Sequence, residues 1–255
     1  MEQTGKLESG ELGWSEKGVR FTRQPIYRNF SLILLGVIIV SLLPHYSKIL
    51  DPAESVSVSF IVHAILYLGW YVLFTVQSNL SATGNTALHK KLGYSSLALF
   101  ALLLFSGIEM LVGVMAGYDS SWDQSYLMYR ATFVWAILHT LLSFAVFYAL
   151  GVLYRKRLHS HKRFMLMASL SMISASVTRV AYLPVVPVDG MAVTLLSTYV
   201  LLVAPMIMDR MKFNGVHPVL KWSVPIYVVT QIAFIAIIPA TNLGQTLAFP
   251  ALWMS

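Results

Sequence analysis

Seven long apolar stretches constrain this chain more than any other feature of its sequence. They run from Phe30 to His45, Val58 to Asn79, Gly93 to Gly117, Ala131 to Tyr154, Phe164 to Leu183, Met191 to Met208 and Trp222 to Ala240. A helix needs about 20 mostly apolar residues to cross a bilayer. Within the hydrocarbon every backbone polar group must also be satisfied, which leaves helices and closed barrels. None of the stretches alternates with period two, so a barrel is disfavoured. The expected fold is all-α and membrane-integral, with seven transmembrane helices. Composition agrees: 57% of the 255 residues are hydrophobic and 11% charged, against about 25% charged in a soluble domain. With no cysteine in the chain, disulfide frameworks, zinc–thiolate sites, iron–sulfur clusters and cysteine nucleophiles are excluded.

The net charge of +7 first suggests a nucleic-acid partner, but its distribution points elsewhere. Basic residues cluster before the first stretch (Lys6, Lys17, Arg20, Arg23, Arg28) and between the second and third (Lys90, Lys91). They recur between the fourth and fifth (Arg155, Lys156, Arg157, Lys162, Arg163) and near the sixth and seventh (Arg210, Lys212, Lys221). The alternate loops hold Lys48 and Arg130 with the acids Asp51, Glu54, Asp119, Asp123 and Asp189. By the positive-inside rule this places the N-terminus inside and the C-terminus outside, as an odd number of spans requires. Residues 1–29 read as a cytoplasmic tail, with a surface helix around Trp14 to Phe21, and not as a cleaved signal. Residues 30–255 read as one seven-helix membrane domain in a bacterial inner membrane. No glycine-rich phosphate loop occurs and the basic residues are spread over four separate inner segments, so neither nucleotide nor nucleic acid is an expected partner.

Four of the seven histidines fall in a repeated pattern. His63 lies toward the outer end of span two, and His89 at the inner start of span three, in Leu88-His89-Lys90-Lys91-Leu92. His139 lies toward the outer side of span four, and His161 at the inner start of span five, in Ser160-His161-Lys162-Arg163-Phe164. This is a weak duplication of a helical hairpin. If spans two to five (58–183) form a four-helix core, His63 can face His139 and His89 can face His161. About 24 Å separates the two levels at 1.5 Å of rise per residue, so they are distinct sites. Two facing imidazoles per level is the ligand set of a b-type haem, and helical bundles hold such groups between facing helices. His45, His159 and His217 read as interfacial residues.

Face by face, His63, Tyr67, Trp70 and Gln77 align on span two, and Thr132, Trp135, His139 and Ser143 on span four. On span five the aligned residues are His161, Met165, Ala168, Met172, Ala175 and Arg179. Arg179, an arginine within a span, needs an anionic partner; a haem propionate and Glu109 on span three are the candidates. Lys90, Lys91, Lys162 and Arg163 are candidates for inner propionates. Trp70, Trp135 and the methionines also read as plain packing.

From Val62 to Arg179 the chain resembles an uncharacterised group of bacterial multi-pass membrane proteins. The carrying residues are His63, Leu88 to Gly93, His161 to Met165, and Arg179. The layout is also similar to that of two-haem b-type transmembrane cytochromes, with one haem at each membrane face of a four-helix core. The chain departs from those in histidine spacing, in having seven spans, and in lacking an ascorbate-site motif. The resemblance implies haem b, at two levels or one, and electron transfer with a quinone or another redox membrane protein as partner. Two alternatives stand beside it. One is a metal-dependent hydrolase with zinc held by His63, His139 and Glu109, although no His-x-x-x-His or His-Glu-x-x-His string occurs. The other is a haem-free accessory or assembly protein. A transporter would show interrupted helices, and only Pro205, Pro225 and Pro239 hint at interruptions.

Overall fold

The computed structural model describes residues 25–50, 56–181 and 189–253, with backbone alone at 44–50 and 253. The helices are α1 Pro25–Leu50, α2 Val58–Thr83, α3 Thr86–Ala116, α4 Gln124–Leu153, α5 Leu158–Leu170, α6 Ile173–Ala181, α7 Gly190–Phe213, α8 Pro218–Ile232 and α9 Asn242–Ala248. A π-helical turn, Ala233–Ile237, extends α8, and a 3₁₀ turn, Pro250–Trp253, follows α9. No strand occurs among the described residues. Seven helical segments are long and apolar enough to cross a membrane, α5 and α6 together making the fifth and α8 with its π turn the seventh. The chain thus reads as an integral membrane protein. The expected surface helix around Trp14 to Phe21 and the side chains of His45 and Lys48 lie outside the described residues.

The helices begin where the chain offers caps. Side chains of Asn85, Asp123, Asp189, His217 and Thr241 accept hydrogen bonds from the first turns of α3, α4, α7, α8 and α9, satisfying N–H groups that a helix start leaves orphaned. Hydropathy sees only the apolar part of a span. The structure therefore extends spans three and five toward their N-termini, to Thr86 and Leu158. This draws His89 and His161, with the basic residues after them, into helical turns.

Span five is the hub of the bundle. In its most apolar window 61% of residues are buried, against 17–33% in the other six. α5 and α6 pack on α1, α4, α7 and α8, and α2 reaches them through side-chain hydrogen bonds. α3 lies outside, against α2 and α4. The arrangement differs from a core of four equal helices because span five is rich in serine and alanine. Such a helix gains from close approach by neighbours that satisfy its hydroxyls.

Span five is also interrupted, between Leu170 and Ile173. No proline causes this, and Pro205 and Pro225 sit inside unbroken helices. Instead, three tyrosines grip the break. Tyr71 donates to the Ser169 carbonyl (2.7 Å), Tyr227 to that of Ser171 (3.1 Å) and Tyr67 to that of Met172 (2.9 Å). Trp70 Nε1 donates to Ser169 Oγ (3.1 Å). Non-helical backbone at membrane depth is tolerated where protein buries and satisfies it, and all four aromatic side chains are buried. The interruption splits the aligned face expected on span five, leaving Ala168 and Met172 buried and Ala175 exposed.

A charged lock closes the basic end. Arg163 and Asp209 are both fully buried. Arg163 Nε donates to Asp209 Oδ2 (2.7 Å), Nη2 to Oδ1, and Nη1 to the His159 carbonyl (2.9 Å). The Tyr27 hydroxyl donates to Asp209 Oδ1, and the His217 backbone N–H to Oδ2 (3.2 Å). The cluster ties α1, α5, α7 and the start of α8 together.

Candidate functional site

The structure brings His89 and His161 together. Their ring centroids are 6.3 Å apart and their planes 88° apart. Each ring is fixed in the same way, by the helix that precedes its own. His89 Nδ1 lies 3.3 Å from the Gln77 carbonyl of α2. His161 Nδ1 lies 2.7 Å from the Gly151 carbonyl of α4. A carbonyl can only accept, so Nδ1 carries the proton in both rings and Nε2 keeps its lone pair. This is how metal-ligating histidines are usually held: one nitrogen is anchored by a second-shell acceptor and the other is presented to the metal.

Local sequence explains the fit. Gly151 stands in the last turn of α4, where carbonyls lose their helical partners. A Cβ there would meet Met165 Sδ at 2.6 Å, so glycine lets α5 approach closely enough for His161 to reach the carbonyl. On the other hairpin, Gln77 Nε2 donates back to the His89 carbonyl at 3.2 Å. Gln77 Oε1 is buried and has no hydrogen-bond partner among the described residues. The two hairpins thus repeat the device as well as the sequence pattern.

At the other level the structure does not bring His63 and His139 together. His63 Nδ1 bonds Ser106 Oγ of α3 (2.9 Å), and its ring stacks on Tyr67 (6.3 Å between centroids). His139 is buried and turned toward α8, with Nε2 3.0 Å from Thr230 Oγ1 and 3.3 Å from Ser143 Oγ. Its ring packs on Tyr227 and Phe234, 4.9 and 5.3 Å between centroids. His139 Nε2 is thus engaged by two hydroxyls, and that of Thr230 also lies 2.8 Å from the Ile226 carbonyl. Span seven takes the place expected of span two. Phe234 belongs to the π-helical turn, four residues before Ile238 and five before Pro239, whose missing N–H disturbs the preceding turn.

Other candidates have different partners from those expected. Arg163 is not available to a propionate, being fully buried and bonded to Asp209 and the His159 carbonyl. Lys162 Nζ lies over the Tyr27 and Phe213 rings, 4.6 and 5.6 Å from their centroids. Lys90 and Lys91 are exposed beside His89. Arg179 Nη1 donates to the Ala175 carbonyl of its own helix, within electrostatic reach of His63. Glu109 accepts from Ser59 Oγ (2.8 Å) and makes no ion pair with Arg179 among the described residues. Nor does any group of three metal-ligating side chains occur among them, so Glu109, His63 and His139 do not assemble as a zinc site. Trp135 donates to the Gly244 carbonyl (2.9 Å) and packs on Phe234. His217 is buried, not interfacial, and caps α8.

Sequence reasoning passed over Asp209 and Tyr27. The available signal was an acid at the basic end of span six, against the charge pattern of that face. No protein-family model, no curated protein and no solved structure matches the chain.

Proposed function

We propose that the protein is an integral membrane electron-transfer protein that holds one b-type haem iron between His89 and His161. One observation carries this reading: two imidazoles from matching hairpins meet with both Nδ1 atoms anchored on backbone carbonyls. A metal stands about 2.0–2.1 Å from an imidazole nitrogen, so two rings sharing one ion would have centroids about 6 Å apart; those of His89 and His161 are 6.3 Å apart. Bound haem supplies a one-electron carrier. The chain's own residues do the rest: Gln77 and Gly151 orient the ligands through their carbonyls, and Lys90 and Lys91 offer positive charge for propionates.

The charge asymmetry supports an N-terminus inside, and with it a centre at the cytoplasmic face of a bacterial inner membrane. A quinone or a second redox protein in the bilayer serves as partner. The proposal does not extend to a second haem, because His63 and His139 engage separate helices. A carrier reading gains nothing from the broken span, because its loosened carbonyls accept from tyrosines and do not line a path.

Reduced-minus-oxidised absorbance of protein purified from haem-replete cells tests the proposal. Sharp α and Soret bands are expected in the native chain and in His63→Ala, and their loss in His89→Ala and His161→Ala. Absence of the bands from the folded native protein would overturn it.

A further inference from the structure

The groove between α1 and α2 is graded like an amphiphile. Arg28, Asn79 and Leu80 line it toward the basic end, and Leu32, Thr75 and Val76 line the rest. Arg28 and Leu32 are one turn apart on α1, so that wall passes from charged to apolar within about 6 Å of depth, while α2 offers Asn79 beside the apolar Val76 and Leu80. Leu32 and Val76 are exposed in a span that faces lipid. One turn deeper on the same side of α1 is Gly36, where a Cβ would meet nothing within 4 Å. Gly36 is itself exposed, so the lipid-facing surface of α1 stays open beyond Leu32. At its mouth, Arg28 Nε and Nη2 donate to Asn29 Oδ1 (3.2 and 3.1 Å). That contact holds the guanidinium in place, and Nη1 has no hydrogen-bond partner among the described residues.

We propose that this groove seats an anionic phospholipid, its phosphate on Arg28 and Asn79 and one acyl chain along Leu32, Val76 and the space beside Gly36. The chemistry chooses this occupant. A basic residue at the mouth of an interhelical groove on a strongly basic face attracts anionic headgroups, and the exposed apolar side chains one turn inward, Leu32 and Val76, offer a surface for an acyl chain. The seat is separate from the histidine pair and does not depend on a haem.

Native mass spectrometry of the full chain in mild detergent tests it, with phosphatidylglycerol and phosphatidylcholine of identical acyl chains as probes. The expected result is about fivefold greater retention of phosphatidylglycerol, the size of one basic contact near an anionic surface. That preference should vanish in Arg28→Gln and survive in Arg28→Lys. Gly36→Leu should reduce retention of both lipids with melting unchanged. Equal retention of the two lipids by the native chain overturns the proposal. So does a preference that survives Arg28→Gln, or occupancy of the groove by a second copy of the chain.

Discussion

Asp209→Leu should be the most damaging single substitution in this protein, and the size of its effect follows from what the carboxylate holds. Asp209 accepts from Tyr27, twice from Arg163, and from the His217 backbone. With the carboxylate gone, a fully buried guanidinium keeps its charge but loses its counter-ion. Removing one partner of such a pair costs about 3–5 kcal/mol. For a chain of this size about 2–4 °C of melting temperature corresponds to each kcal/mol, so a fall of roughly 6–20 °C is expected. Arg163→Met combined with Asp209→Leu removes both charges, and buried pairs exchanged for apolar residues are often near neutral. The double variant should therefore melt above Asp209→Leu alone. Thermal unfolding in detergent, read through a complete double-mutant cycle, provides the test. Additive effects, or a double variant less stable than Asp209→Leu, would refute the idea that the uncompensated charge drives the loss.

Three further expectations concern the fold. Tyr227→Phe removes the hydroxyl donor of the Ser171 carbonyl at the break, and should cost about 1–3 kcal/mol, measured by thermal melting. Gly244→Ala places a Cβ 1.9 Å from the Ile238 carbonyl oxygen. It should displace α9 and make the buried Phe249 accessible, visible as new proteolysis near the C-terminus. His217, just before the seventh span, is held at a pKa of about 3 by burial first and by Arg163 second, below the ordinary value of about 6.5. The unfolded chain therefore binds a proton below about 6.5 that the folded one refuses until about 3. Its stabilising contribution is complete above that window and is lost as pH falls through it. His217→Asn, which keeps a capping side chain, should flatten that slope in melting temperature against pH.

What could be read from the sequence was governed by periodicity and charge. The seven spans appear because lipid admits few alternatives, and the meeting of His89 with His161 because two hairpins share one pattern. Partner choice across the bundle was not legible. Hydropathy suggests similar heights for His63 and His139, but α4 begins at Gln124, so His139 stands fifteen residues from its helix start and His63 five from the start of α2; Thr230 with Phe234 meet the His139 ring. Hydropathy also could not place Arg163, which stands in a basic run yet is wholly buried because one acid on a distant helix reaches it. The break in span five carries no proline. It rests on tyrosines in α2 and α8 that resemble any other buried aromatics until their hydroxyl partners are known.

The haem-ligand assignment of His89 and His161 is tested most directly by electron paramagnetic resonance of the oxidised protein, purified from haem-replete cells. Their planes are 88° apart. Were both to hold a ferric haem iron at that angle, the low-spin spectrum would take its strongly anisotropic form. The expected result is that signal in the native chain and in His139→Ala, and its disappearance in both His89→Ala and His161→Ala. A native protein with no low-spin ferric signal, or a signal indifferent to those two histidines, would contradict the assignment.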